Sequence, residues 1–167
     1  MHAAGTLTIR SADEDDLPAI AAILNAAIAT RIATAQLEPV DLADRRAWLQ
    51  SHDARHPVWT AIDESGVAGW LSVLPWSERA AYDGTAELSV YVSPDRHGGG
   101  IGRKLLRHAI AEAPRLSIEA YVARILTNNP ASLRLFERFD FQRWGVMRGV
   151  ARLDGALRDV AILGRHV

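Results

Sequence analysis

The stretch Glu87–Ile110, ELSVYVSPDRHGGGIGRKLLRHAI, holds a valine-rich run, a turn, four glycines within five residues, and then an amphipathic pattern. A strand that empties through a glycine loop into a helix is suited to holding a phosphate. The first helical N–H groups lack intrahelical partners, and the aligned peptide dipoles put partial positive charge at that end. Two common nucleotide motifs do not fit. A P-loop needs glycine directly before the lysine and Ser or Thr directly after it, whereas Lys104 stands between Arg103 and Leu105. The dinucleotide fingerprint could start at Gly98 or Gly100, but its third glycine would then fall on Arg103 or Leu105. On spacing alone, an ordinary flexible loop before a helix stays open as the alternative.

Outward from this segment, strand and helix patterns alternate. Thr6–Arg10 has the pattern of a short first strand. Asp13, Glu14, Asp15 and Asp16 follow, as acidic residues favoured at a helix N-terminus, and then Leu17, Ile20, Leu24 and Ile28 at helical spacing. A second, shorter helix is expected within Asp41–Asp53. Strands are expected over Pro57–Asp63, Gly66–Trp76 and Gly84–Val92, the first two joined by a turn at Glu64–Gly66. Past the glycine loop, Ile101, Leu105, Leu106, Ala109 and Ile110 form one helical face that ends near Pro114. A fifth strand is expected over Arg115–Ala123, a helix over Asn129–Phe139 with Pro130 in its first position, and a closing hairpin over Phe141–Val167. The order β-α-α-β-β-β-α-β-α-β-β implies a mixed sheet with helices on both faces, in the α/β to α+β range.

Composition narrows the function classes. The 167 residues, 49% hydrophobic and 23% charged, suit a single domain with a full core. No apolar leader or membrane-length run is present in the sequence, so a cytoplasmic protein with no membrane partner is expected. The absence of cysteine removes thiolate nucleophiles and thiolate metal ligands, so any sulfur chemistry must arrive on a cofactor, and no metal site is expected. A net charge of −1 provides no field to draw nucleic acid. Lys104 is the only lysine among 19 basic residues, a bias of composition rather than a binding surface.

Two motifs carry a resemblance. Ser89–Leu106, SVYVSPDRHGGGIGRKLL, followed by Asn128–Phe141, NNPASLRLFERFDF, resembles the acetyl-CoA-binding core of the GNAT N-acetyltransferases. Ala80–Val92, Asn129–Phe141 and Leu157–Leu163 are similar to the phosphinothricin acetyltransferase-like branch, and the likeness runs from Thr8 to Leu163. It implies one GNAT domain over 1–167, with a mixed central sheet splayed between strands four and five. Acetyl-CoA would be the co-substrate. Its pyrophosphate would lie on the loop His97, Gly98, Gly99, Gly100, Ile101, Gly102 and Arg103. Pantetheine would pair with the backbone of Val90, Tyr91 and Val92, and Asn129 and Ser132 would contribute from the second motif. The resemblance further implies a homodimer, a small amino-acid-like amine as acceptor, and acceptor contacts from Arg79, Glu38, Trp76 and Tyr82. The chain departs from the family pattern at four places: His97 stands for Gln or Arg at the loop opening, Asp140 for glycine, Phe136 for a tyrosine that serves many members as general acid, and Ser77 for a second arginine.

Glu87 matches the family's base by position. β-alternation puts Ala86, Leu88, Val90 and Val92 on one face, and Glu87, Ser89 and Tyr91 on the other, which is expected to be polar. An ammonium with pKa near 9 is only about 1% free base at pH 7, so the reaction needs a proton acceptor. A carboxylate with ordinary pKa of about 4.3 suits that task best through a relaying water. The alternative is a strand glutamate paired with a nearby arginine. A backbone N–H near Val90 is expected to face the developing oxyanion. The departing thiol leaves as thiolate, or takes a proton from Tyr121 or Tyr91 in place of Phe136. A GNAT-fold protein that binds acetyl-CoA without turnover is the second functional reading, and Glu87 separates the two, since a sensor has no need of a carboxylate there.

Overall fold

The computed structural model describes residues 6–167. The elements are β1 (Thr8–Ser11), α1 (Leu17–Thr30), α2 (Leu42–Gln50), β2 (Val58–Asp63), β3 (Gly66–Pro75), β4 (Thr85–Val92), α3 (Ile101–Glu112), β5 (Ala120–Leu126), α4 (Pro130–Glu137), β6 (Gln142–Leu153) and β7 (Ala156–His166). Their order is the one expected from the sequence. Among the described residues seven strands form one sheet in the order β1-β2-β3-β4-β5-β7-β6, and β4 with β5 is its only parallel pair. A parallel pair needs a crossover, and α3 supplies it.

Helices cover both faces. Against one, α3 and α4 bury Leu105, Leu106, Leu133 and Phe136 on Leu71, Val73, Ala86 and Leu88. Against the other, α1 buries Ile20, Leu24 and Ile28 on Trp70, with Tyr91 packed at the margin. The face of β4 that carries Glu87 and Tyr91 is therefore half-buried and mixed, with the Glu87 carboxylate at one end and the Tyr91 ring packed against this core at the other. Trp70, 4.7 Å from the Tyr91 ring centroid and fully enclosed, belongs to this core.

The fifth strand differs from its expected place. Leu116 and Ile118 are buried at alternate positions, which imitates a strand. Their backbone instead forms a turn in which Ile118 N donates to Ala113 O and Ser117 takes φ 56°. β5 starts at Ala120 and runs on through Arg124 to Leu126. The acidic run Asp13–Asp16 stands at the N-terminus of α1 as expected, and Asp16 is in addition buried, holding Arg10 through both carboxylate oxygens at 2.7 and 2.9 Å.

Candidate active site

β4 and β5 pair over only three positions, Thr85 with Ala120, Ala86 with Tyr121 and Glu87 with Val122. Beyond Glu87 the strands part, and the β5-facing edge of Leu88–Val92 has no strand partner. Two cavities open along this seam. The narrow one is lined by Ser89, Val90, Tyr91, Arg124, Asn129 and Ser132, with Phe136 at its base. The wide one, about 760 Å³, runs from Val90–Val92 past His97, Gly98, Gly100, Ile101, Gly102 and Arg103 to Asn129 and Ser132 on α4. Together they bring every expected cofactor residue except Gly99 onto a cavity wall.

The geometry of the wide cavity fits a long, phosphate-bearing cofactor. Among the described residues the amides of Gly100, Ile101, Gly102 and Arg103 have no backbone acceptor, and they sit at the start of a 12-residue helix. Gly98 and Gly100 take φ 81° and 76°, a left-handed backbone that glycine adopts without a steric cost. A Cβ on Gly102 would come within 3.2 Å of Leu135 Cδ2 and 3.7 Å of Val92 Cγ2, so α3 approaches β4 and α4 as closely as it does because this residue has no side chain. At the far wall Asn129, buried, caps α4 by accepting from Ser132 N at 3.2 Å, while its Nδ2 donates to Ser132 Oγ at 3.1 Å. Asp140, in place of the usual glycine, takes φ 61°, one of the few non-glycine residues for which this is tolerable.

His97 takes an unexpected part. Its Nε2 donates to the Val92 carbonyl at 3.0 Å, so the ring ties the glycine loop back to the end of β4. The neighbouring Arg96 is held by Asp63, leaving Arg103 and Arg138 as the guanidinium groups on the wide cavity that have no carboxylate partner among the described residues.

Glu87 lies at the point where the seam opens. Its carboxylate is 13% exposed and accepts twice from Arg124, from Nε to Oε1 at 2.8 Å and from Nη2 to Oε2 at 2.7 Å. The arginine pairing that stood as an alternative for this residue is therefore present. Arg124 is 54% exposed and stands over the Trp76 ring at 5.9 Å; the Glu87 carboxylate raises its pKa above the usual arginine value. Of the two tyrosines, Tyr121 is fully buried on the α3 face, donates to Ala109 O at 2.9 Å, and has its phenol pKa raised by burial. It lies on the opposite face of the sheet from Glu87 and lines neither cavity. Tyr91 lines both cavities, and burial raises its pKa as well.

The expected acceptor residues are more scattered. Trp76 stands beside Arg124. Arg79 and Tyr82 are exposed in the segment between β3 and β4, and Glu38 is exposed in the loop between α1 and α2. None of these four lines either cavity. Three features were not found by sequence reasoning. Arg124 was hidden because the fifth strand was expected to stop at Ala123. Arg138 and Leu135 gave no signal beyond the helical pattern of α4. The wall formed by Ala26, Ala27 and Ala33 is foreshadowed only by the alanine-rich run that ends α1 and enters the following loop.

The family model for the acetyltransferase (GNAT) family matches residues 20–141, which take in β2 to β5, the glycine loop and α4. The chain belongs to the GNAT acetyltransferase family. As a GNAT enzyme it is an acetyl-CoA-dependent N-acetyltransferase. YwnH of Bacillus subtilis, which bears the provisional name phosphinothricin acetyltransferase, is 42% identical over 162 residues, 96% of this chain and 99% of the relative. An L-methionine sulfoximine/L-methionine sulfone acetyltransferase of Pseudomonas paraeruginosa is 36% identical over 158 residues, 93% of this chain and 92% of the relative. Among solved structures, a GNAT phosphinothricin acetyltransferase from Sinorhizobium meliloti in complex with acetyl-CoA superposes with TM-score 0.91 at 28% identity, covering 97% of this chain and 89% of that one. Among the described residues no helix is long and apolar enough to cross a membrane.

Proposed function

We propose that this GNAT enzyme acetylates the amine of a small amino-acid-like compound of the phosphinothricin, methionine sulfoximine or methionine sulfone type, with Glu87 as the proton acceptor. The observation that carries this reading is the Glu87 carboxylate at the last paired position of β4, where the seam opens, bonded to Arg124 on the wall of the narrow cavity. When bound, acetyl-CoA supplies a thioester whose carbonyl carbon can bond to the amine nitrogen as the carbon–sulfur bond breaks. The amides of Gly98–Arg103 hold the pyrophosphate, the free edge of Val90–Val92 holds the pantetheine arm, and Asn129 and Ser132 close the wall opposite. Glu87 receives the ammonium proton through a water, and the N–H near Val90 faces the oxygen on which charge develops. With Phe136 unable to donate and Tyr121 on the other side of the sheet, the sulfur leaves as thiolate or takes its proton from Tyr91. Trp76, Arg79, Tyr82 and Glu38 are assigned to the acceptor side.

Glu87→Gln is expected to lower kcat by about 100-fold, in the range of a lost general base, while calorimetric affinity for acetyl-CoA stays within about twofold. Identical kcat/KM and pH profiles in wild type and variant would make Glu87 structural and favour a non-catalytic acetyl-CoA sensor.

We further assign the working form to a homodimer built on the β6–β7 hairpin. Trp144, Val146, Met147, Val150 and Leu157 are exposed there, with Arg143 and Arg148 among them, and a cluster of large apolar side chains of this kind is costly to leave in water. Sedimentation is expected to give a dimer at micromolar concentration, and Val150→Glu with Leu157→Glu to give a folded monomer. A monomeric wild type at that concentration would rule the dimer out.

A further inference from the structure

The Glu87–Arg124 pair is unusual in where it stands. Val122, the last β5 residue in register with β4, faces Glu87, and Arg124 lies one pleat further along the same face, at the first position where the strands have parted. Its guanidinium spends Nε and Nη2 on Glu87, while Nη1 has no acceptor among the described residues. The side chain lines the narrow cavity and is half exposed, with the Trp76 ring behind it. The active-site mouth therefore presents a carboxylate and a guanidinium side by side, the second with an unused edge.

We propose that Arg124 is a specificity-determining residue that takes the carboxylate of an α-amino acid, so that the acceptor docks as a zwitterion on the Glu87–Arg124 pair. The acceptor's charges match it in reverse. An α-amino acid carries its ammonium and its carboxylate on one carbon, at a separation comparable to that across a hydrogen-bonded ion pair. Its ammonium falls to Glu87 and its carboxylate to the outer Nη1–Nη2 edge of Arg124, the planar fork that suits two-point recognition of carboxylates. Docking in this way sets the reacting nitrogen against the group that removes its proton. It also draws the guanidinium partly off Glu87 and so frees a carboxylate oxygen to accept. Arg79, exposed and off both cavity walls, is not positioned for this contact in the structure.

This inference rests on the proposed function, and the test separates the two. L-Methionine sulfone and 3-(methylsulfonyl)propan-1-amine differ by the carboxylate alone. Wild-type enzyme is expected to prefer the amino acid in kcat/KM. In Arg124→Met the ratio of the two kcat/KM values is expected to fall by about 10- to 100-fold, the worth of a charge-assisted pair. Arg124→Lys should retain part of the preference. Any loss that arises because Glu87 has lost its partner affects both compounds and cancels in the ratio, so an unchanged ratio would overturn the proposal even if both rates dropped. If wild-type enzyme acetylates both compounds without preference, the zwitterion site falls and the acetyltransferase reading stands. If it acetylates neither, that reading of the acceptor falls. Calorimetry with the CoA-loaded protein then decides the inference: it survives only if methionine sulfone binds to wild type and at least tenfold more weakly to Arg124→Met.

Discussion

The two halves of β4 run in one strand and do opposite work. From Thr85 to Glu87 the strand is hydrogen-bonded on both sides, to β3 and to β5, and Ala86 sits fully buried under α3. From Leu88 to Val92 it keeps β3 and loses β5, and beyond the buried Leu88 its residues become half-buried cavity wall. The side-chain alternation runs through both halves without a break. What separates them is the partner, since β5 leaves the register after Val122 and the wide cavity opens beside the edge it abandons. Backbone groups that would be satisfied in a continuous sheet are kept available, and buried unpaired amides are costly enough that an edge of this kind implies a ligand to pair with it. The closed half makes the fold and the open half makes the site.

The largest expected effect belongs to the open half. Gly100→Val would force a β-branched residue into φ 76°, and Gly102→Val would drive side-chain atoms into Leu135 and Val92. Each variant is expected to lose acetyl-CoA binding by about 100-fold or more, because the amides at the start of α3 can no longer present together. Calorimetric titration of folded variants checks this, and unchanged affinity in both would detach the glycine loop from the cofactor.

Much of this contrast could be seen in the sequence. Element order followed from periodicity and from the Gly, Pro and Asn residues between elements. The glycine loop stood out because four glycines gather between a strand and the start of a helix. The cavity wall at Asn129 was legible as an N-cap followed by Pro130, and the tolerance of Asp140 for a left-handed backbone as a property of aspartate. The splay itself was not legible from the residues, since only the family resemblance implied it: Val90 and Val92 would suit a paired strand equally well. Nor was the Glu87–Arg124 pair, although an arginine partner for Glu87 stood as the alternative. It depends on register between strands 37 residues apart and on a strand start displaced by a turn in which Leu116 and Ile118 mimic β-alternation. Pairing across a parallel seam is a tertiary property, and no local pattern carries it.

The smallest expected effect sharpens the comparison from the closed side. Tyr121 and Tyr91 both fall in strands at the seam, and either could have replaced the missing proton donor at Phe136. Tyr121 pairs with Ala86 in the closed half, is turned to the α3 face, and donates to Ala109 O at 2.9 Å with no exposed surface. Removing its hydroxyl leaves that carbonyl without this donor but creates little void, so Tyr121→Phe is expected to cost about 1 kcal/mol of stability in denaturant unfolding. Its kcat should stay within about twofold of wild type, because a phenol on the far face of the sheet cannot exchange a proton with either cavity. A tenfold fall in kcat, or a change in the alkaline limb of the pH–rate profile, would mean that the closed half takes part in the chemistry and that the division of β4 into a structural and a functional segment is wrong.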